Sequence, residues 1–237
     1  MKGISKMKKK TIVKFASAGL FLLLFIVLVV LLCTVDRKGI AGDGSIVGLS
    51  TLNESVRDAL ELNMTLYKIT QWLGYAAIAA AMGFALLGVY QLIKRKSILK
   101  VDREIIALGS FYVLTISLYV FFEIVVINCR PLVMAGETVA APSFPSSHTM
   151  TVGVIAGSAA LLLPKYLKNA VLCRLIQAVA LSSALFVTVG RLFSGVHWFT
   201  DILGGILLAA AILSLFSALL DLLDTKKYTE KNGAAEE

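Results

Sequence analysis

Six long apolar runs constrain this chain more than any other feature. They fall at 13–35, 69–93, 105–127, 148–163, 175–189 and 198–223. A helix needs about 20 apolar residues to cross a bilayer, and only helices and closed barrels keep their backbone groups paired in lipid. The fourth run is about a turn short, which tilting or local thinning of the bilayer accommodates. At 58% hydrophobic residues and a mean hydropathy of +0.84, no soluble domain of this size reads this way. The expected fold is all-α: a polytopic membrane protein built as one six-transmembrane-helix bundle. A cleaved signal peptide competes for 13–35. That run is long for a signal core and no Ala-x-Ala-like site follows it, so it reads as a first membrane helix.

The formal net charge of +8 would suggest nucleic acid as a partner of a soluble protein. Here no nucleic-acid partner is expected, because cytoplasmic loops of membrane proteins collect lysine and arginine. With six spans, the basic segments 1–14, 94–103, 164–174 and 224–237 all fall on one side. That side is read as cytoplasmic, with both termini in it. The organisation that follows is a basic tail at 1–14, a first helix plus extracytoplasmic loop at 15–68, a five-helix core at 69–223, and a polar tail at 224–237 read as disordered. Within the loop, 55–67 reads as a short amphipathic helix on the membrane surface, and no chemistry is apparent there. Cys33, Cys129 and Cys173 form neither a disulfide framework nor a zinc pattern. Cys33 and Cys129 do fall at the same face, where a bridge could form. Trp72 and Trp198 read as interface anchors, and Phe144 with Trp198 as lining a path for lipid. Gly204-Gly205 reads as a close helix contact.

Both histidines of the chain sit at the head of an apolar run. His148 ends Ser143-Phe144-Pro145-Ser146-Ser147-His148. His197 lies in Gly190-Arg191-Leu192-Phe193-Ser194-Gly195-Val196-His197-Trp198-Phe199-Thr200-Asp201. Topology places both, with Arg130, Arg191 and Ser146, at the outer membrane face. Ionisable residues at that depth are functional candidates. His197 and Asp201 are four apart and share a helical face, so Asp201 is expected to hold one ring nitrogen and leave the other free. Ser194-Gly195 permits a turn that folds Arg191 back over the histidine. Two arginines, a serine hydroxyl and the free N–H groups of a helix start suit an anion such as phosphate. His148 is placed to protonate a leaving oxygen.

Arg130-Pro131, Pro145-Ser146-Ser147-His148 and Arg191-x5-His197-x3-Asp201 resemble the three signature motifs of the type 2 phosphatidic acid phosphatase superfamily (PAP2, or lipid phosphate phosphatases). Order, spacing and six-span layout all fit, over roughly 69–223. The resemblance implies that His197 is a nucleophile passing through a phosphohistidine, Asp201 its orienting acid and His148 the general acid. Arg130, Arg191, Ser146 and Ser147 would hold the phosphate. It implies no metal and no cofactor. Three positions depart from the pattern. Glu123 stands where the family's first motif begins with lysine, Ser147 replaces a glycine, and Gly190 replaces a serine. A carboxylate at 123 would repel phosphate; it would pair with Arg130 or Arg191, or contact a substrate hydroxyl or amine.

The leading functional expectation is a membrane lipid phosphate or pyrophosphate phosphatase acting at the extracytoplasmic face. Its partner would be a lipid phosphate in the membrane, with polyprenyl pyrophosphate, phosphatidate and phosphatidylglycerol phosphate as the candidates the family suggests. The chain's small size fits a bacterial plasma membrane, and a homo-oligomer is left open. Alternatives are a lipid phosphotransferase of the same fold, a catalytically silent PAP2-like binding protein, and a metal oxygenase using two histidines and a carboxylate. Two converging arginines disfavour the last.

Overall fold

The structure is a computed structural model that describes residues 2–40 and 45–233, with side chains described from 9 to 225. Seven α-helices follow in order: α1 (Lys2–Thr34), α2 (Ser50–Asp58), α3 (Met64–Arg95), α4 (Arg103–Ile124), α5 (Ser147–Tyr166), α6 (Ala170–Phe193) and α7 (Phe199–Gly233). All but α2 carry a segment long and apolar enough to span a bilayer. A two-residue hairpin, β1 (Lys38–Gly39) with β2 (Ile46–Val47), precedes α2.

The spans differ from the sequence reading mostly at their ends, and caps explain why. Asn63 accepts a hydrogen bond from Thr65 N, so α3 starts at Met64 rather than 69. The expected surface helix at 55–67 is therefore two pieces: α2 ends at Asp58, and 64–67 opens the second span. Asn169 accepts from both Val171 N and Leu172 N and starts α6 at Ala170. That helix runs on through Gly190 and Arg191, which the sequence reading left in a loop. Gly195, at φ +69°, makes the turn that follows. The polar tail also departs from expectation. Neither proline nor glycine interrupts 224–232, and α7 continues to Gly233; residues 234–237 lie outside the described residues.

Helix α5 is the centre of the bundle, half buried and packed against α3, α4, α6 and α7. Its small residues let neighbours approach: a Cβ on Gly153 would meet Ala209 at 3.2 Å, and one on Gly157 would meet Leu213 at 2.4 Å. Helix α1 lies outside, along α7. Near the termini Lys14 pairs with Asp221 at 2.7 Å. At the opposite end Phe25, Leu28 and Leu32 join a core with Phe144, Met150 and Leu208. The start of α1 and the end of α7 thus lie at one end of the bundle, and the described residues of 35–40, 45–49, 125–146 and 194–198 gather at the other.

Candidate active site

The gathered loops are stitched by their backbones. Cys129 N donates to Ile46 O at 3.0 Å, Arg130 N to Ala141 O at 2.9 Å, Ser143 N to Asn128 O at 2.9 Å and Ser146 N to Asp201 O at 2.9 Å. The chain has no slack here: a Cβ on Gly48 would fall 1.9 Å from the Leu32 carbonyl oxygen. The Gly204-Gly205 pair lets the 143–146 loop press onto α7. A Cβ at Gly204 would meet the Phe144 ring at 2.5 Å, and one at Gly205 the Ser146 carbonyl at 2.8 Å. The expected close contact is therefore between helix and loop.

A cleft opens at this end between α4, α5 and the loops, lined by Glu123, Arg130, Ser143, Ser147 and His197 among others. His197 is 7% exposed. Its Nδ1 lies 3.1 Å from the Ser143 carbonyl oxygen, which can only accept, so Nδ1 is the donor in that bond and Nε2 is the free nitrogen of the neutral ring. The Asp201 carboxylate is 3.6 Å from the same Nδ1. Its hydrogen bonds run elsewhere: Oδ2 accepts from Trp198 N at 2.9 Å and Oδ1 from Asn128 Nδ2 at 3.1 Å. The sequence reading had Asp201 alone on the ring; Ser143 is the nearer partner.

His148, in the first turn of α5, has Arg191, His197 and Arg130 within electrostatic reach. Its ring rests on α3, where a Cβ at Gly74 would meet His148 Nε2 at 3.2 Å. Arg191 ends α6 and is 2% exposed. Its Nη2 donates to Gln71 Oε1 at 2.7 Å, and its guanidinium lies 4.8 Å over the Tyr67 ring. No fold-back turn is needed, because the helix itself delivers Arg191. Gly190 now has a local reason: a Cβ there would meet the Thr70 methyl at 2.7 Å, so α3 and α6 touch where a serine side chain would sit. Arg130 Nη1 lies 4.0 Å from Glu137. Ser146 is fully buried and caps α5, its Oγ accepting from Thr149 N at 3.5 Å, whereas Ser147 faces the cleft.

Glu123 is exposed in the last turn of α4, beside Tyr119. Neither arginine pairs with it: Arg130 leans to Glu137 and Arg191 to Gln71. Trp198 is 2% exposed and its indole N–H donates to Cys129 O at 2.7 Å, so it is a buried tie rather than an interface anchor. Trp72, at 72% exposed, is open as an anchor would be. Phe144 is buried on one side against Phe25, with ring centroids 5.7 Å apart, and touches the cleft on the other. All three cysteines are free.

Sequence reasoning missed Asn53, Asn128 and Thr200. Asn53 and Asn128 are 0% exposed and Thr200 is 1% exposed. Asn53 Nδ2 donates to Thr200 Oγ1 at 2.9 Å and its Oδ1 accepts from Thr200 N at 3.2 Å. Asn128 Oδ1 accepts from Gly48 N at 2.9 Å. An asparagine in a polar loop carries no sign of such burial; only the place of Asn128, two residues before Arg130, hints at it.

Residues 124–223 match the family model of the PAP2 superfamily, a match that begins one residue after Glu123. No curated protein matches the chain by sequence. Among solved structures, a transmembrane PAP2-type phosphatidylglycerolphosphate phosphatase from Bacillus subtilis shares the fold. It aligns at TM-score 0.55 and 19% identity, covering 91% of this chain and 96% of that one. LpxE of Aquifex aeolicus aligns at TM-score 0.39 and 22% identity, over 73% of this chain and 93% of that one. Residues 124–223 thus match the PAP2 superfamily model, within a six-span fold that extends beyond them to both sides and is shared with the Bacillus subtilis structure.

Proposed function

We propose that the protein is a lipid phosphate phosphatase working from the extracytoplasmic face through a phosphohistidine, without a metal. The observation that carries this is that Arg191, His197 and Arg130, drawn from separate elements, lie within electrostatic reach of His148 at one end of a membrane bundle. His197 Nε2 attacks phosphorus. The P–N bond forms as the bond to the lipid oxygen breaks, and His148 gives that oxygen its proton. Arg130, Arg191, Ser147 and the N–H groups at the start of α5 hold the phosphate oxygens and stabilise the charge that builds on them. Ser146 keeps that helix start in place, and Asp201 stands by the imidazolium. Water then attacks the phosphohistidine, His148 takes back a proton, and phosphate leaves. The described lysines and arginines of 94–103 and 164–174 lie at the termini end, which supports a cytoplasmic termini end and an outward site.

The test is phosphate release by detergent-purified protein, with chelator present, from a panel of lipid mono- and diphosphates. Wild type should release phosphate and His197→Ala should not; equal release by both, or release abolished by chelator, would sink the reading. A second reading, transfer to a lipid acceptor, is favoured by Glu123 lining the same cleft as His197, where a carboxylate can accept from an acceptor hydroxyl. Phosphorylated acceptor forming at the expense of free phosphate would select it. Glu123→Lys should then shift products from transfer to hydrolysis.

A further inference from the structure

We infer that Asn128 and Asn53 are positioning residues for the His197 site, acting through Asp201 and Thr200, so that the segment between the first two spans belongs to the catalytic apparatus. The inference rests on the proposed hydrolysis for its kinetic arm only.

The geometry forms a closed network in which neutral donors hold one carboxylate. Asp201 Oδ1 takes Asn128 Nδ2 at 3.1 Å, and Asp201 Oδ2 takes Trp198 N at 2.9 Å. With both oxygens held, the carboxylate cannot rotate, and Oδ2 stays 3.6 Å from His197 Nδ1. Asn128 is fixed in turn. Its Oδ1 takes Gly48 N at 2.9 Å, its amide lies 3.4 Å from Thr200 Oγ1, and its backbone carbonyl takes Ser143 N at 2.9 Å. Ser143 O is the group that faces His197 Nδ1. One asparagine thus sets both partners of that nitrogen, the carboxylate by its side chain and the carbonyl by its backbone. Asn53 closes the chain. Its Nδ2 reaches Gly48 O and Thr200 Oγ1, each at 2.9 Å, and its Oδ1 takes Thr200 N at 3.2 Å. It holds the first turn of α7 from a segment that lies outside the matched 124–223 region. Buried networks of this kind, fully satisfied, specify one arrangement, and the position of a reacting ring is what they would specify here.

The experiment compares wild type with Asn128→Ala, Asn128→Ser and Asn53→Ala in detergent, each first passed through size exclusion and a thermal melt. Two readouts follow. The first is 15N NMR of the imidazole rings. Two histidines give two ring systems, assigned with His148→Gln. Wild type should show a single His197 tautomer protonated at Nδ1. Asn128→Ala should show mixed tautomers, with Asn128→Ser between the two. The second readout is kinetic. Asn128→Ala should lose about 100-fold in kcat with KM changed by less than about 3-fold, and Asn53→Ala should lose less. Folded variants with the wild-type tautomer and wild-type kcat overturn the inference, whatever happens to the melting temperature. If Asn128→Ala does not fold, Asn128→Ser and Asn53→Ala decide by the same readouts. If wild type releases no phosphate, the hydrolysis reading fails while the tautomer readout still decides the positioning role.

Discussion

The two ends of the bundle keep their polar groups in opposite ways. At the termini end, charges meet charges. Arg95 pairs with Asp102 at 2.8 Å, Lys165 with Glu104, and Lys14 with Asp221 at 2.7 Å. Gln91 and Tyr166 complete Asp102 at 2.9 and 3.1 Å. At the site end the ion pairs are open to solvent or loose, Lys38 with Glu54 and Arg130 with Glu137 at 4.0 Å, while the buried Asp201 carboxylate is held by neutral amide N–H groups and the arginines are left short. Among the described residues, the buried side-chain polar atoms without a protein partner are Nε of Arg57, Arg130 and Arg191, Ser143 Oγ and Thr149 Oγ1, and every one is at the site end. Buried polar groups cost free energy when unpaired. Donors left free on Arg130 and Arg191 fit the proposed phosphate site, while the paired charges of the other end tie helices together.

That contrast can be broken by experiment. The largest expected effect is at the site end: His197→Ala should lower phosphate release at least about 10^4-fold while leaving the melt close to wild type. A comparable loss from any termini-end variant would erase the contrast. Next, Gly204→Ala should push on Phe144, whose ring lies 2.5 Å from the added carbon. Because that ring carries the 143–146 loop, release should fall by about 100-fold, read as kcat in protein that still elutes as a single species.

Gly190→Ser should cost about 1–3 kcal/mol by overpacking the contact with Thr70, read by thermal melt. Thr70→Ser removes the opposing methyl and should restore much of it in the double variant. Additive losses would show that the two helices do not meet there. The smallest effect belongs to the termini end. Burial alone would push Asp102 up, but hydrogen bonds from Arg95, Gln91 and Tyr166, with the Arg95 charge, hold it below its ordinary 3.8. A carboxylate lowered by folding stabilises above its unfolded value and loses that contribution as pH falls through its native one. Asp102→Asn should therefore melt lower at neutral pH, by about 1 kcal/mol since the group is partly open to water. The gap to wild type should close below about pH 4, with release per folded molecule unchanged throughout.

The bundle was legible in the sequence because hydropathy is a local property: the six runs mark six spans, and their starts move earlier where Asn63 and Asn169 cap a helix ahead of its first apolar residue, while α6 and α7 continue past the ends of their runs. The motif residues were legible by type and spacing, and topology alone brought His148 and His197 to one end. What was hidden depends on contacts across long stretches of chain. Asn53 meets Thr200 across 147 positions, and nothing near Asn53 in the sequence announces it. Trp198 was read as an anchor because a tryptophan at a span end usually faces the interface; here it turns inward to the Cys129 carbonyl. Gly190 read as a lost hydroxyl until the Thr70 methyl was seen beside it.

The bond between Asn53 and Thr200 has a consequence for biosynthesis. A ribosome delivers Asn53 early and the head of α7 last among the spans, and Asp201 arrives with that head. Until the sixth span is inserted, His148 and Arg191 stand in the membrane without His197, and the loops that hold Asp201 have nothing to hold. On the proposed function, His197 and the carboxylate beside it come together with His148 and Arg191 only when the head of α7 is in place.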